Sequence, residues 1–247
     1  MLFLTQKSVR LLALTSVALV AAACDSDNNS GGLGTTPPPP ATMVTFDVTV
    51  SNLTNAQPLS PIAVIAHQNT FPVFEIGQPA SVGLETLAEG GDNSALLAEA
   101  NAVAGIGDTV SGAAPIGPAG SETVSVTFDE TTQGLMTISV STMLVNTNDA
   151  ITGVNAIPLA DMQVGDSVTM HSVAYDSGTE ANTEAAAHIP GPAGGGEGFN
   201  AARDDIADRV AMHSGVVGQE DGFATSDLNG QHRFDNPVAQ ITIERVN

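Results

Sequence analysis

The chain has 247 residues, with 6 Lys and Arg against 27 Asp and Glu, one cysteine, no tryptophan and one tyrosine. At 42 % hydrophobic and 13 % charged it can bury a core, one β-type domain or two small ones, which excludes global disorder. The acidic excess repels phosphate backbones, which need Lys and Arg to release their counterions, so nucleic-acid binding is excluded; the same excess favours cations.

Residues 1–23, MLFLTQKSVRLLALTSVALVAAA, set Lys7 and Arg10 before an apolar run from Leu11 to Val20, then small residues. This pattern predicts a secretory signal peptide, too short and wrongly flanked for a spanning helix. Without it, Arg203, Arg209, Arg233 and Arg245 stand against 27 acids, a net charge of −23. The sole cysteine follows in Leu19-Val20-Ala21-Ala22-Ala23-Cys24. Small residues before a cysteine resemble the lipobox of bacterial lipoproteins, although Ala21 stands where Leu is commoner. The resemblance implies a diacylated Cys24 anchoring the protein in the bacterial cell envelope, facing the periplasm or the cell exterior. Ordinary cleavage would instead leave a free thiol, a liability in an oxidising compartment. Residues 24–42 continue with DSDNNSGGLGTTPPPPAT, a flexible piece and then a polyproline spacer, expected to act as a tether.

From residue 43 to 247 the expected unit is one domain. MVTFDVTV alternates Val44, Phe46, Val48 and Val50 with polar residues, as a half-buried strand does. Asp92-Asn93-Ser94 before ALLAEANAV reads as a helix start carrying Leu96, Leu97 and Val103. ETVSVTFD, LMTISVSTMLV, SVTMHSVAY and VAQITIERV return to a period of two, and NAARDDIADR suggests a second turn of helix. Short strands joined by Gly-, Pro-, Asn- and Asp-rich connections predict a mainly β, antiparallel β-sandwich with one or two short helices.

Familiar catalytic signatures (C-x-x-C, HExxH, a phosphate loop, GxSxG, the Rossmann glycines) do not occur, and GPAGGGEG at 191–198 reads as a flexible loop. The histidines, His67, His171, His188, His213 and His232, lack metal-ligand spacing. A hydrolytic or redox-metal lipoprotein using His67, His171 or His188 is the alternative enzymatic reading. It requires two histidines, or a Ser–His pair, brought together by the fold. A carbohydrate-binding module would rest on Tyr175 alone. Acids are richer in promise. NTNDAITG (146–153) and VAYDSGTE (173–180) each close a strand-like run with oxygen ligands, and a Gly-centred turn can fold Asp176 and Glu180 toward one point. Should the two strand ends be neighbours, Asp149 joins them around a hard cation such as Ca²⁺. On spacing alone, which is not that of an EF-hand, two solvated polar loops are the favoured explanation of these residues.

Residues 59–100 carry Ser60-Pro61, His67, Phe71 and Phe74, Gly77 to Gly83 and Ala88-Glu89-Gly90-Gly91. Together with STMLVNTNDAITG, YDSGTE and DNPVAQITIERV, in order, they resemble the spondin N-terminal domain. The resemblance implies a C2-like β-sandwich that binds calcium through Asp149, Asp176 and Glu180, with Glu180 where Asp is usual. It also implies an adhesion or ligand-binding module without catalysis, directed at an unknown protein or glycan. The cysteines and tryptophan of the animal versions are missing, and Ala150-Ile151 replaces the aromatic after the loop aspartate.

Overall fold

The computed structural model describes residues 40–247 apart from 135 and 206; the expected leader, the Cys24 anchor and the tether as far as residue 39 lie outside them. In chain order the main elements are β1 (Met43–Asn52), β2 (Ala63–His67), α1 (Val82–Gly90), α2 (Ser94–Asn101), β3 (Ile106–Ser111) and β4 (Ser121–Asp129). After the single turn α3 (Glu130–Gln133) come β5 (Thr137–Met143), β6 (Ala150–Pro158), β7 (Ser167–Ser172), β8 (Ala174–Asp176), β9 (Ala211–Met212) and β10 (Ala239–Arg245). They form two antiparallel sheets, ordered β4-β1-β10-β7 and β3-β2-β5-β6-β8-β9. The expected mainly β sandwich is what the chain adopts.

The first sheet explains the alternating strands. Val44, Phe46, Val48 and Val50 are buried against Val126, Phe128, Ile241 and Ile243, and Phe46 stacks on Phe128 with ring centres 5.8 Å apart. The opposite face is hydroxyl-rich. Thr123, Thr49, Thr242 and Thr169 lie in line across all four strands, with hydroxyl pairs at 2.8 and 3.0 Å.

The second sheet is covered on both faces, because α1 and α2 pack Leu84, Leu87 and Leu96 against Ala63, Ile65 and Ile151. All five residues of β2 are therefore buried, and its apolar run Ala63 to Ala66 shows no alternation. Each such Leu or Ile contributes about 1.5–3 kcal/mol through removal from water.

Helix α1 is an element that the periodicity did not reveal. Its start is marked by Ser81, whose Oγ accepts from Leu84 N, and its end by Gly91 at φ 70°. The expected helix at Ser94 is present, with a different use of its first residues. Asp92 Oδ1 accepts from Ser94 N at 2.9 Å, while Asn93 Nδ2 donates to Pro61 O, Ile62 O and Ser111 Oγ, fastening α2 to β2. The second helix expected in NAARDDIADR does not form among its described residues. Short polar side chains there bind the backbone instead: Asn200 Oδ1 accepts from Ala202 N, and Asp205 Oδ1 from Ala207 N.

Candidate metal centre

SVTMHSVAY is two strands, split at Val173, and the second of them, β8, pairs with β6 so that Ala150 faces Asp176. The ends of the two acidic segments are thus adjacent in one sheet. The NTND stretch is buried and largely structural. Gln57 exchanges hydrogen bonds with the Asn146 backbone, Thr147 Oγ1 caps the turn from Leu144 O to Ala150 N, and Asn148 Oδ1 accepts from Glu184 N. The turn ends on Asp149, which is 0 % exposed.

Asp149 is held by one oxygen only. Oδ2 accepts from Ser177 Oγ at 2.8 Å, Thr179 N at 2.9 Å and Glu180 N at 3.2 Å. Oδ1 is buried with no hydrogen-bond partner. Burial, then the neighbouring Asp176 charge, push the Asp149 carboxyl up to about 7. Asp176 folds its own turn: Oδ1 accepts from Gly178 N at 2.9 Å and Oδ2 from Asn182 Nδ2 at 2.6 Å. Gly178 is required there, since φ is 71° and a Cβ would meet the Arg209 backbone at 2.4 Å. Glu180 is pushed up to about 8, by burial first, then by the Glu89 and Asp149 charges. Its Oε1 lies 3.6 Å from His188 Nδ1.

Asp149 and Asp176 are therefore electrostatic neighbours, and Glu180 adjoins Asp149. In the arrangement described, no three of His, Cys, Asp and Glu among the described residues form a ready cage for an ion. The donor set nonetheless suits a hard cation. An orphaned, buried carboxylate oxygen beside a second carboxylate is costly without a positive charge, and oxygen is the ligand Ca²⁺ takes.

Two residues join this region that sequence reasoning did not assign to it. His213, following β9, is buried near Asp176; its Nδ1 accepts from Gly215 N while Nε2 has no partner, and burial lowers its pKa. Glu89, at the end of α1, is 2 % exposed, with Oε2 accepting from Asn200 N and Oε1 unpartnered. One signal was available for Glu89: with Glu85 it forms an i, i+4 pair of acids among the apolar residues of α1. Glu85 is matched by Arg203, at 2.9 Å.

The remaining histidines separate. His67 Nε2 lies 2.8 Å from Ser139 Oγ, the sort of pair the enzymatic reading required, yet both residues are 0 % exposed. Ser139 Oγ also accepts from Ala156 N, so the pair ties β2 to the irregular stretch of β6. His171 is exposed on β7, remote in register from the acidic turns. Tyr175 packs against Phe74 with ring centres 4.8 Å apart and is half-buried, so it does not stand out as a free platform.

The family model of the spondin N-terminal domain, Spondin_N, matches residues 52–189. That is more than half of the chain, and the chain belongs to this family. The match includes Asp149, Asp176 and Glu180 and stops before β9, β10 and the 197–213 segment. No curated protein matches the chain.

Proposed function

We propose that this spondin N-terminal domain binds Ca²⁺ through Asp149, Asp176 and Glu180 and presents the loops so ordered to a protein or glycan ligand, without catalysis. The observation that carries the reading is the buried, unpartnered Oδ1 of Asp149. A divalent ion there would offset the charges of three carboxylates and join the β5–β6 turn to the Asp176–Glu180 turn. Glu180, one methylene longer than Asp, suits a large ion that tolerates varied coordination. The same proposal takes the protein to be a lipoprotein of the bacterial cell envelope. Its support is the leader, Cys24 and the tether, which would hold the domain clear of the bilayer. No helix among the described residues is long and apolar enough to cross a membrane.

The test is thermal unfolding of the full chain with calcium and with chelator. An ion at 100 times its Kd adds about 2.7 kcal/mol. For a domain of this size that is about 5–10 °C in Tm. Asp149→Asn should abolish the rise and leave the metal-free Tm unchanged or higher, since it removes an uncompensated buried charge. An unchanged Tm in chelator, after elemental analysis shows every bound ion removed, would sink the reading.

A further inference from the structure

Among the described residues the two sheets end in the edge strands β3, β4, β7 and β9, and β7 differs from the other three. On β4, Thr127 N is taken by Asp108 Oδ2; on β3, Thr109 is bonded by Asn101 at the end of α2; and β9 is two residues long. Strand β7, SVTMHS, runs for six residues without an acid, lysine, arginine or proline. An edge of this kind offers its N–H and C=O groups to any extended chain. Arg245 N donates to Asp166 O, which sets the alternation of the ladder. Val168 and Met170 therefore turn their backbone groups to Ile243 and Ile241 of β10, while Ser167, Thr169 and His171 turn theirs outward.

The core is also unfinished along this edge. Ile241 and Ile243 are 1 % and 0 % exposed, whereas Val168 and Met170 beside them are only half-buried. Strand β6 has a matching gap in the other sheet, because β8 pairs with it from Ala150 to Thr152 and then stops. Ser172 Oγ, bonded to Gly153 N and O, joins β7 to β6 at that point. Beside this junction lies a cleft of about 330 Å³ lined by Phe74, Val154, Ile157, His171, Val173 and Tyr175.

We propose that β7 docks an extended, cationic segment of a partner protein, which adds a strand to the first sheet and seats one large apolar side chain in the cleft. Main-chain hydrogen bonds to Ser167, Thr169 and His171 supply affinity, and the cleft selects the anchor side chain. Side chains alternate along the added strand, so those on its inner face also cover Val168 and Met170. Charge decides the occupant. Asp166 and Glu244 are exposed at the start of β7, and Glu75, next to Phe74 in the chain, is exposed toward the other end. A second copy would bring 27 acids against 6 basic residues to the same edge and be repelled, whereas lysine or arginine flanking the anchor is attracted. The site goes beyond the loops ordered by calcium and does not rest on a metal.

The probe is a set of fluorescein-labelled peptides, acetyl-KVTXTVK-amide, with leucine, isoleucine, methionine, phenylalanine or tyrosine at X. They are titrated into the full chain and read by anisotropy. At least one should bind saturably in the micromolar range. Serine at X should weaken the best of them at least tenfold, and glutamate in place of both lysines should do so at low salt and less at high salt. Thr169→Pro removes an outward N–H and leaves the backbone bonds to β10 intact, so it should fold and lose at least tenfold in affinity. Glu244→Gln, an exposed change, should weaken binding a few-fold and keeps the test decisive if Thr169→Pro does not fold. No saturable binding by any peptide, or affinity unchanged in both variants, would overturn the proposal. So would a dimer in sedimentation that Thr169→Pro dissociates, since a second copy would then be the occupant. Affinity should be the same with calcium and with chelator. Binding that needs calcium would put the ligand on the metal turns and overturn the edge site, whereas calcium-independent binding beside a failed calcium test would sink only the calcium reading.

Discussion

His67 shows how one side chain can combine two structural duties. It is a β2 residue whose ring lies against Ser139 of β5, and its carbonyl accepts from Thr137 Oγ1 at 2.9 Å. Burial lowers its pKa from the usual histidine value. A lowered folded pKa means that the unfolded chain binds the proton first as pH falls. The neutral ring therefore contributes stability above about pH 6.5, and that contribution is lost as pH drops from there toward the folded pKa. The expected outcome is a loss of stability on acidification through this window that is smaller in His67→Gln, measured as the difference between denaturant midpoints of the two proteins. Equal pH slopes would contradict it. Sequence alone made His67 a candidate catalytic group; its place between two central strands makes it part of the core.

At the scale of elements, the 197–210 segment is a strap over α1 rather than a helix. Arg203 fastens it, donating to Ala80 O at 2.7 Å and to Glu85 Oε2 at 2.9 Å, while Asn200 N reaches Glu89. Glu85 is nearly fully buried, so removing its partner leaves an uncompensated charge. A fully buried pair costs about 3–5 kcal/mol when broken. The Arg203 side chain is 23 % exposed, which screens the pair. Arg203→Gln should therefore lose somewhat less, about 2–3 kcal/mol. Amide exchange should accelerate across 199–210 and stay unchanged in β1 and β10. Loss of protection spread evenly over both sheets would show that the strap is not an independent unit. Most strands were legible from their period of two. The strap was not, because it is held by a contact between Arg203 and Glu85 that spans 118 positions in sequence; nor was α1, whose apolar face is defined by packing on Ala63, Ile65 and Ile151.

Over the whole molecule the charge is extreme, with 27 acids against 6 basic residues and no lysine after Lys7. Self-repulsion of this kind opposes compaction and is screened over about 10 Å at 0.1 M salt and about 3 Å at 1 M. Raising NaCl from about 0.01 M to about 1 M should raise the Tm of the metal-free protein, as read by calorimetry. A flat or falling curve would show that the acids are already balanced within the fold. Divalent ions should act at far lower concentration if the Asp149 turn takes them as proposed.

The sequence by itself determined the sheet class, the alternating faces of β1 and β4, the start of α2 and the acidic character. These follow from residue periodicity, local capping and composition, which are properties of neighbours in the chain. It also carried the resemblance that the family match bears out. Tertiary structure alone decided that Ala150 faces Asp176, which brings two acidic turns together, and that Asp149 has one satisfied and one orphaned oxygen. It alone turned Glu89 inward beside Glu180 and sealed His67 from solvent. Burial and partnership depend on which distant segments pack together, and no local pattern of residues encodes that choice.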